Sequence, residues 1–243
     1  MSKHSHWATI KRKKEITDKK RGQAFSKALR MISVAAKKGG DPKINSSLHL
    51  AIEKAKEFNM PKETIERAVK KGSGELEGEF LEEVLYEAYG PRKIAILIEG
   101  ITDNKNRAFN EIKKILEENG GKLVTSGSVK WMFERKGCLI VDCKSQIEDL
   151  KNKEKLELMA IEAGAEDIYW YNDVLDIYVK IEDLEGVKKN LENQGIKIDS
   201  SSLDWIAKEE IEAKEEEKMA CQKLFEALDE SDEVQEIYSN LKL

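Results

Sequence analysis

Lys11, Arg12, Lys13 and Lys14 form an unbroken cationic run shortly after Trp7, which is itself flanked by His4 and His6. Such a run neutralises phosphates and releases their condensed counterions, so it suits a polyanion, bound with steep salt dependence and little sequence selectivity. An indole beside it can stack on an unpaired base, worth roughly 1–3 kcal/mol per base. The same indole can instead tuck into a helical bundle as a staple. The cationic character continues from residue 18 to residue 38. At about 100° per residue, Phe25, Leu29, Ile32, Ala35 and Ala36 share one face of a helix, and Lys19, Lys20, Lys27, Arg30, Lys37 and Lys38 share the opposite sector. Arg21 adds one more cation. Trp7, the run Lys11–Lys14 and these helical cations are the candidate nucleic-acid contacts. They are mostly lysines, which position a backbone rather than read base edges.

The charge is unevenly placed. Residues 1–75 hold 19 Lys or Arg and 8 Asp or Glu; the whole chain of 243 residues holds 42 and 47, so the remainder carries 23 and 39. A basic head on an acidic body points to a polyanionic partner, DNA or ribosomal RNA.

Other chemistry is thin. There are three His, and none has an evident acidic or nucleophilic partner. "GSGELEG" (72–78) lacks the Lys and Ser/Thr of a phosphate loop, and no dinucleotide fingerprint is present. Cys138, Cys143 and Cys221 are too sparse for a disulfide framework or a zinc site and fit a reducing compartment. These features predict no catalytic residue, metal, cofactor or small-molecule substrate. The block "TDNKNRA" (102–108) has two readings. Thr102, Asp103 or Asn104 can cap the following helix, or Lys105 and Arg107 can hold a phosphate beside that helix N-terminus. No apolar stretch approaches a membrane span and no signal peptide is visible, so a cytoplasmic protein away from membranes is expected.

The elements that position these residues follow from periodicity. Helices are expected at about 18–38, 46–58 and after Pro61 to Gly72, making a small bundle. Beyond residue 80, strands are expected at 84–89, 94–102, 128–135 and 138–143, with a helix at 104–118. Then come a helix at 153–163, a hairpin at 167–180, a helix at 183–194, two strands about a bend near 200–202, a helix at 215–228 and a last strand in "EVQEIYSN". The fold class is α+β in three domains: a basic helical bundle (1–78) and two ferredoxin-like domains, one (136–203) inserted in the other (79–135 plus 204–243). Strand 84–89 is expected as an added edge.

The blocks "HSHWATIKRKK", "DKKRGQAFSK", "AAKKGGDPKIN", "AIEKAKEFNMPKETIERAVKKGSG", "YEAYGP", "TDNKNRA", "GSVKWMFERKG" and "AGAEDI" resemble, end to end, the YebC family of transcriptional regulators, which has a mitochondrial branch that activates translation of a cytochrome oxidase subunit. The resemblance implies an N-terminal bundle with two α/β domains, one inserted in the other, a cytoplasmic location and no catalytic residues. It implies a partner that is either DNA or the ribosome, where family members ease translation through stretches such as consecutive prolines. The family's basic surface carries over to Lys11, Arg12, Lys13, Lys20, Arg21, Lys27 and Arg30. Lys3, His6 and His49 depart from the family's usual Gly, Lys and Arg. In "GPRKIA", Arg92 and Lys93 replace a glycine pair, so that turn is expected to differ in shape.

Overall fold

The computed structural model describes residues 18–78, 80–146 and 152–242, with side chains from residue 22 onward. These residues form two compact units: residues 133–208, and the rest of the described chain.

In the larger unit, α1 (Asp18–Ala36), α2 (Ser46–Glu57) and α3 (Lys62–Gly72) form the bundle. The apolar stripe of α1 is buried as its spacing requires: Ile32 and Ala36 are fully buried against Leu48, Ala55, Ile65 and Ala68. Gly39, at φ +137°, turns the chain out of α1. Asn45 then caps α2, its side-chain oxygen accepting from the Leu48 N–H at 3.1 Å while its amide donates to the carbonyls of Ala35 and Gly39 at 2.8 and 2.7 Å. A Cβ on Gly72 would lie 2.1 Å from the Ser33 carbonyl oxygen, so the approach of α3 to α1 requires glycine there.

The same unit continues with β1 (Glu82–Tyr89), β2 (Ala95–Thr102), α4 (Lys105–Glu118) and β3 (Lys122–Val124). The smaller unit contributes β4 (Phe133–Asp142), α5 (Lys153–Ala163), β5 (Asp167–Tyr171), β6 (Val174–Val179), α6 (Leu184–Asn193) and β7 (Ser200–Ala207). The chain returns to the larger unit with β8 (Ile211–Glu212), α7 (Glu215–Asp229), β9 (Val234–Ser239) and β10 (Leu241–Lys242), β8 and β10 pairing in parallel.

The smaller unit has the all-antiparallel order β5-β6-β4-β7 that a βαββαβ chain produces in a ferredoxin-like fold. Gly137 reads as a break between two strands, yet β4 runs through it for ten residues. A Cβ there would lie 2.8 Å from Val179 and 2.9 Å from Leu184, so this glycine marks close packing of a strand interior. Likewise β7 is one strand over 200–207, with no bend dividing it.

The sheet of the larger unit is ordered β3-β1-β2-β9. This corrects two expectations. Strand β1 is internal, paired with β2 on one side and β3 on the other, because the short turn at 90–94 folds it back on β2. The edge belongs to β3; the segment 128–132 is no strand. Lys130–Met132 is a single 3₁₀ turn. The amides of Gly127, Val129 and Lys130 donate to the Glu87 carboxylate at 2.6, 2.7 and 2.9 Å, which leaves them unavailable to a ladder. On one face of this sheet Ile96 and Ile98 are fully buried in a core shared with Ile112 and Leu116 of α4 and Leu224, Phe225 and Leu228 of α7. On the other face Ile101 meets Val34, Met31 and Leu81, which joins the bundle to the sheet.

Candidate nucleic-acid interface

The cationic sector of α1 divides along its length. Trp7, Lys11, Arg12, Lys13 and Lys14 lie outside the described residues, and of Lys19, Lys20 and Arg21 only the helical backbone is described. Further along, the sector turns inward. Lys27 is buried, and its ammonium donates to the Asp229 carboxylate at 3.0 Å and to the Asp229 carbonyl at 2.8 Å. One turn earlier, the Gln23 amide donates to the carbonyls of Asp229 and Glu230, both at 2.9 Å. One turn later, Arg30 reaches the carbonyls of Asp232 at 2.7 Å and Ile101 at 3.2 Å. Apart from Ile101, which is on β2, these acceptors lie at the C-terminal end of α7 and just beyond it, where carbonyls lack helical partners and the helix dipole is negative. A cation is the fitting cap, so Lys27 and Arg30 hold the bundle against the α/β platform.

Lys37 is also engaged: its ammonium donates to the Leu81 carbonyl at 2.6 Å and sits 3.7 Å from the centroid of the Phe80 ring. Lys38 is exposed, with no ion-pair partner among the described residues. Lys43, Lys56, Arg67, Lys70 and Lys71 share that condition. Lys56, Arg67, Lys70 and Lys71, unlike Lys38, were not singled out from the sequence because α2 and α3 interleave them with acids; only the structure separates Lys62, paired with Glu66 at 3.5 Å, from Arg67, Lys70 and Lys71.

The "TDNKNRA" block is a cap and a clamp. The Asn104 side chain accepts from the N–H groups of Asn106 and Arg107, both at 3.1 Å, closing the start of α4. Arg107 donates through Nε to the nearly buried Glu233 carboxylate at 2.9 Å and also bonds Asp103. Bonding to Glu233 and then Asp103 raises its pKa, and bonding to Arg107 lowers that of Asp103. Lys105 pairs with Glu82 at 3.1 Å. Both cations of the block therefore have carboxylate partners.

Glu87 holds the other functional-looking loop. Burial pushes its pKa up, but the three amides it accepts outweigh that and the net shift is downward. The loop it grips carries Lys130 and Trp131, the indole 63% exposed and its N–H donated to the Ser128 carbonyl at 3.0 Å. Cys138, Cys143 and Cys221 are buried and not joined in disulfides, and burial raises the pKa of the Cys221 thiol to about 11. No helix among the described residues is long and apolar enough to cross a membrane.

Residues 5–75 match the family described as the TACO1/YebC protein N-terminal domain, and residues 81–241 match the TACO1/YebC second and third domain. The chain belongs to the TACO1/YebC family. Among TACO1/YebC relatives, a "probable transcriptional regulatory protein" of Halothermothrix orenii is 46% identical over all of this chain and 96% of its own length. A protein of the same description from Chlorobium luteolum is 47% identical over all of this chain and 96% of its own. The crystal structure of a conserved hypothetical protein of Aquifex aeolicus superposes with a TM-score of 0.88 at 43% identity, covering 98% of this chain and 97% of that one.

Proposed function

We propose that this member of the family is a non-enzymatic regulatory protein that holds the phosphodiester backbone of nucleic acid through its amino-terminal head, acting as a DNA-binding transcriptional regulator in the cytoplasm. The observation that carries the reading is the separation of charge, with a surplus of 11 cations in residues 1–75 against a chain whose net charge is −5. The regulatory names of its relatives support it. In this reading the head (1–78) binds, the interrupted domain (79–135 with 204–243) is its platform, and 136–203 is an insert. The contacts are Trp7, Lys11, Arg12, Lys13, Lys14, Lys19, Lys20 and Arg21, joined by Lys38 and the exposed cations of α2 and α3.

One observation favours a second reading, a translation factor bound to ribosomal RNA. Gln23, Lys27 and Arg30, the long polar side chains along the middle of α1, are turned to protein carbonyls. That stretch therefore presents no row of Arg, Asn or Gln to base edges, and backbone recognition is what remains. The test of the shared mechanism is to change Lys11, Arg12, Lys13 and Lys14 to Gln. The slope of log affinity against log salt on duplex DNA should flatten by roughly 3–4 units if all four meet phosphates; an unchanged slope refutes the arm as the contact. Sedimentation with ribosomes, abolished by nuclease, decides for the second reading, and salt-resistant choice of one DNA site over random duplex decides for the first.

A further inference from the structure

The turn between β1 and β2 carries a backbone anomaly with a consequence for binding. Arg92 and Lys93 both adopt positive φ, 59° and 60°. The turn thus takes a left-handed conformation of the kind that a glycine pair would adopt without strain. Two successive non-glycine residues in that region are unfavourable, and the turn is nonetheless closed tightly. The Gly90 N–H donates to the Ile94 carbonyl at 2.8 Å and the Lys93 N–H to the Gly90 carbonyl at 3.1 Å. Arg92 ties the turn to α7 through Glu217 at 2.8 Å. Lys93 is thereby aimed by a rigid backbone.

It borders a cleft of about 440 Å³ lined by Tyr89, Gly90, Lys93, Gly120, Gly121 and Lys122. Lys122 stands directly across the ladder from Tyr89. Both lysines are exposed, neither has an ion-pair partner among the described residues, and no acid lines the cleft. Three glycines leave the backbone open to close approach. The last-turn carbonyls of α4 would repel an anion, but they are already hydrogen-bonded: Ile115 accepts from the Asn119 amide at 2.8 Å and Leu116 from the Gly121 N–H at 2.7 Å. Two exposed cations, an aromatic wall and glycine-rich turns are the chemistry of a site for a nucleotide's phosphate and base.

We propose that this cleft, between the β1–β2 turn and the α4–β3 turn, is a second nucleic-acid contact, in which Lys93 and Lys122 hold a backbone phosphate while Tyr89 lies against the adjoining nucleotide. It rests on the reading of the head as a nucleic-acid binder and extends the footprint from the bundle to the α/β platform.

The test uses the full chain, fluorescein-labelled duplex DNA and labelled oligouridine, with anisotropy titrations at several salt concentrations. Lys93→Gln with Lys122→Gln should flatten the salt slope by roughly 1.4–1.8 units, two phosphates at about 0.7–0.9 each. Lys113→Gln with Lys114→Gln, exposed lysines on α4, makes the same change in net charge and should leave the slope nearly as it was. Lys93→Arg with Lys122→Arg should retain most of it, which separates lost contact from lost folding. If the cleft variant behaves like wild type, or no differently from the α4 control, the cleft is overturned and the head stands. If wild type binds neither probe, both are overturned together.

Discussion

Replacing Lys27 distinguishes a cation that serves the fold from one that serves a phosphate. The wheel puts it among the phosphate-binding cations; the structure buries it against Asp229. Lys27→Met keeps the aliphatic stem and removes the ammonium. It takes away two bonds, to the Asp229 carboxylate and carbonyl. A hydrogen bond involving a charged group contributes about 1.5–3 kcal/mol, and two bonds from one ammonium are not additive. The Asp229 side chain retains 19% exposure, so water takes over part of the lost interaction and the full cost of breaking a buried pair is not expected. The expected loss is about 2 kcal/mol, read as a lower urea midpoint by circular dichroism. A cycle with Asp229→Asn should show coupling of about 1 kcal/mol. The salt slope of nucleic-acid binding should not change, because no phosphate contact is removed. Unaltered stability together with a slope flattened by about 0.9 would refute the docking role and return Lys27 to the binding surface.

Glu87→Gln should destabilise by about 2–3 kcal/mol, since an amide offers one accepting oxygen to three converging N–H groups; hydrogen exchange at Val129 and Lys130 should quicken, and unchanged exchange would refute the clamp. Its pKa lies below the ordinary 4.5, so its contribution is present above that value and is lost as pH falls through the lower, folded pKa; the Gln variant should lack that component of acid destabilisation. Gly72→Ala must move α3 away from the Ser33 carbonyl and should cost about 1–3 kcal/mol in thermal unfolding. A melting temperature equal to wild type would mean that the bundle does not depend on the close crossing.

What could be read from the chain and what could not follows the range of the interaction. The bundle helices, the glycine after α1 and the Asn104 cap are local, and spacing or residue type announces them. The ten-residue β4 was hidden because Gly137 looks like a break; only its neighbours, Val179 and Leu184, show that it is a point of close packing. The segment 128–135 alternates like a strand, yet only 133–135 join one, and the acceptor that claims the amides of Val129 and Lys130 is Glu87, about 40 residues earlier. The inner place of β1 is a matter of pairing order, which alternation within one strand does not encode. The same limit applies to the site. Arg107 and Glu233 are 126 residues apart, and Lys27 and Asp229 are 202 apart. A helical wheel shows that a face is cationic; it does not show which distant oxygen faces it.

That limit changes how charge separation should be understood here. Ammonium and guanidinium groups that suit phosphates suit the open carbonyls of a helix C-terminus equally well, and α1 meets such an end at Asp229–Asp232. For a phosphate to engage Lys27 or Arg30 it would have to displace oxygens held in place by the fold itself, at the high effective concentration of an intramolecular contact. Cations with no internal partner meet no such competition. Binding should therefore fall to the arm ahead of α1, to the exposed lysines and arginine of α2 and α3, and to the two lysines at the cleft, while the middle of α1 keeps the head fixed on the platform that carries them.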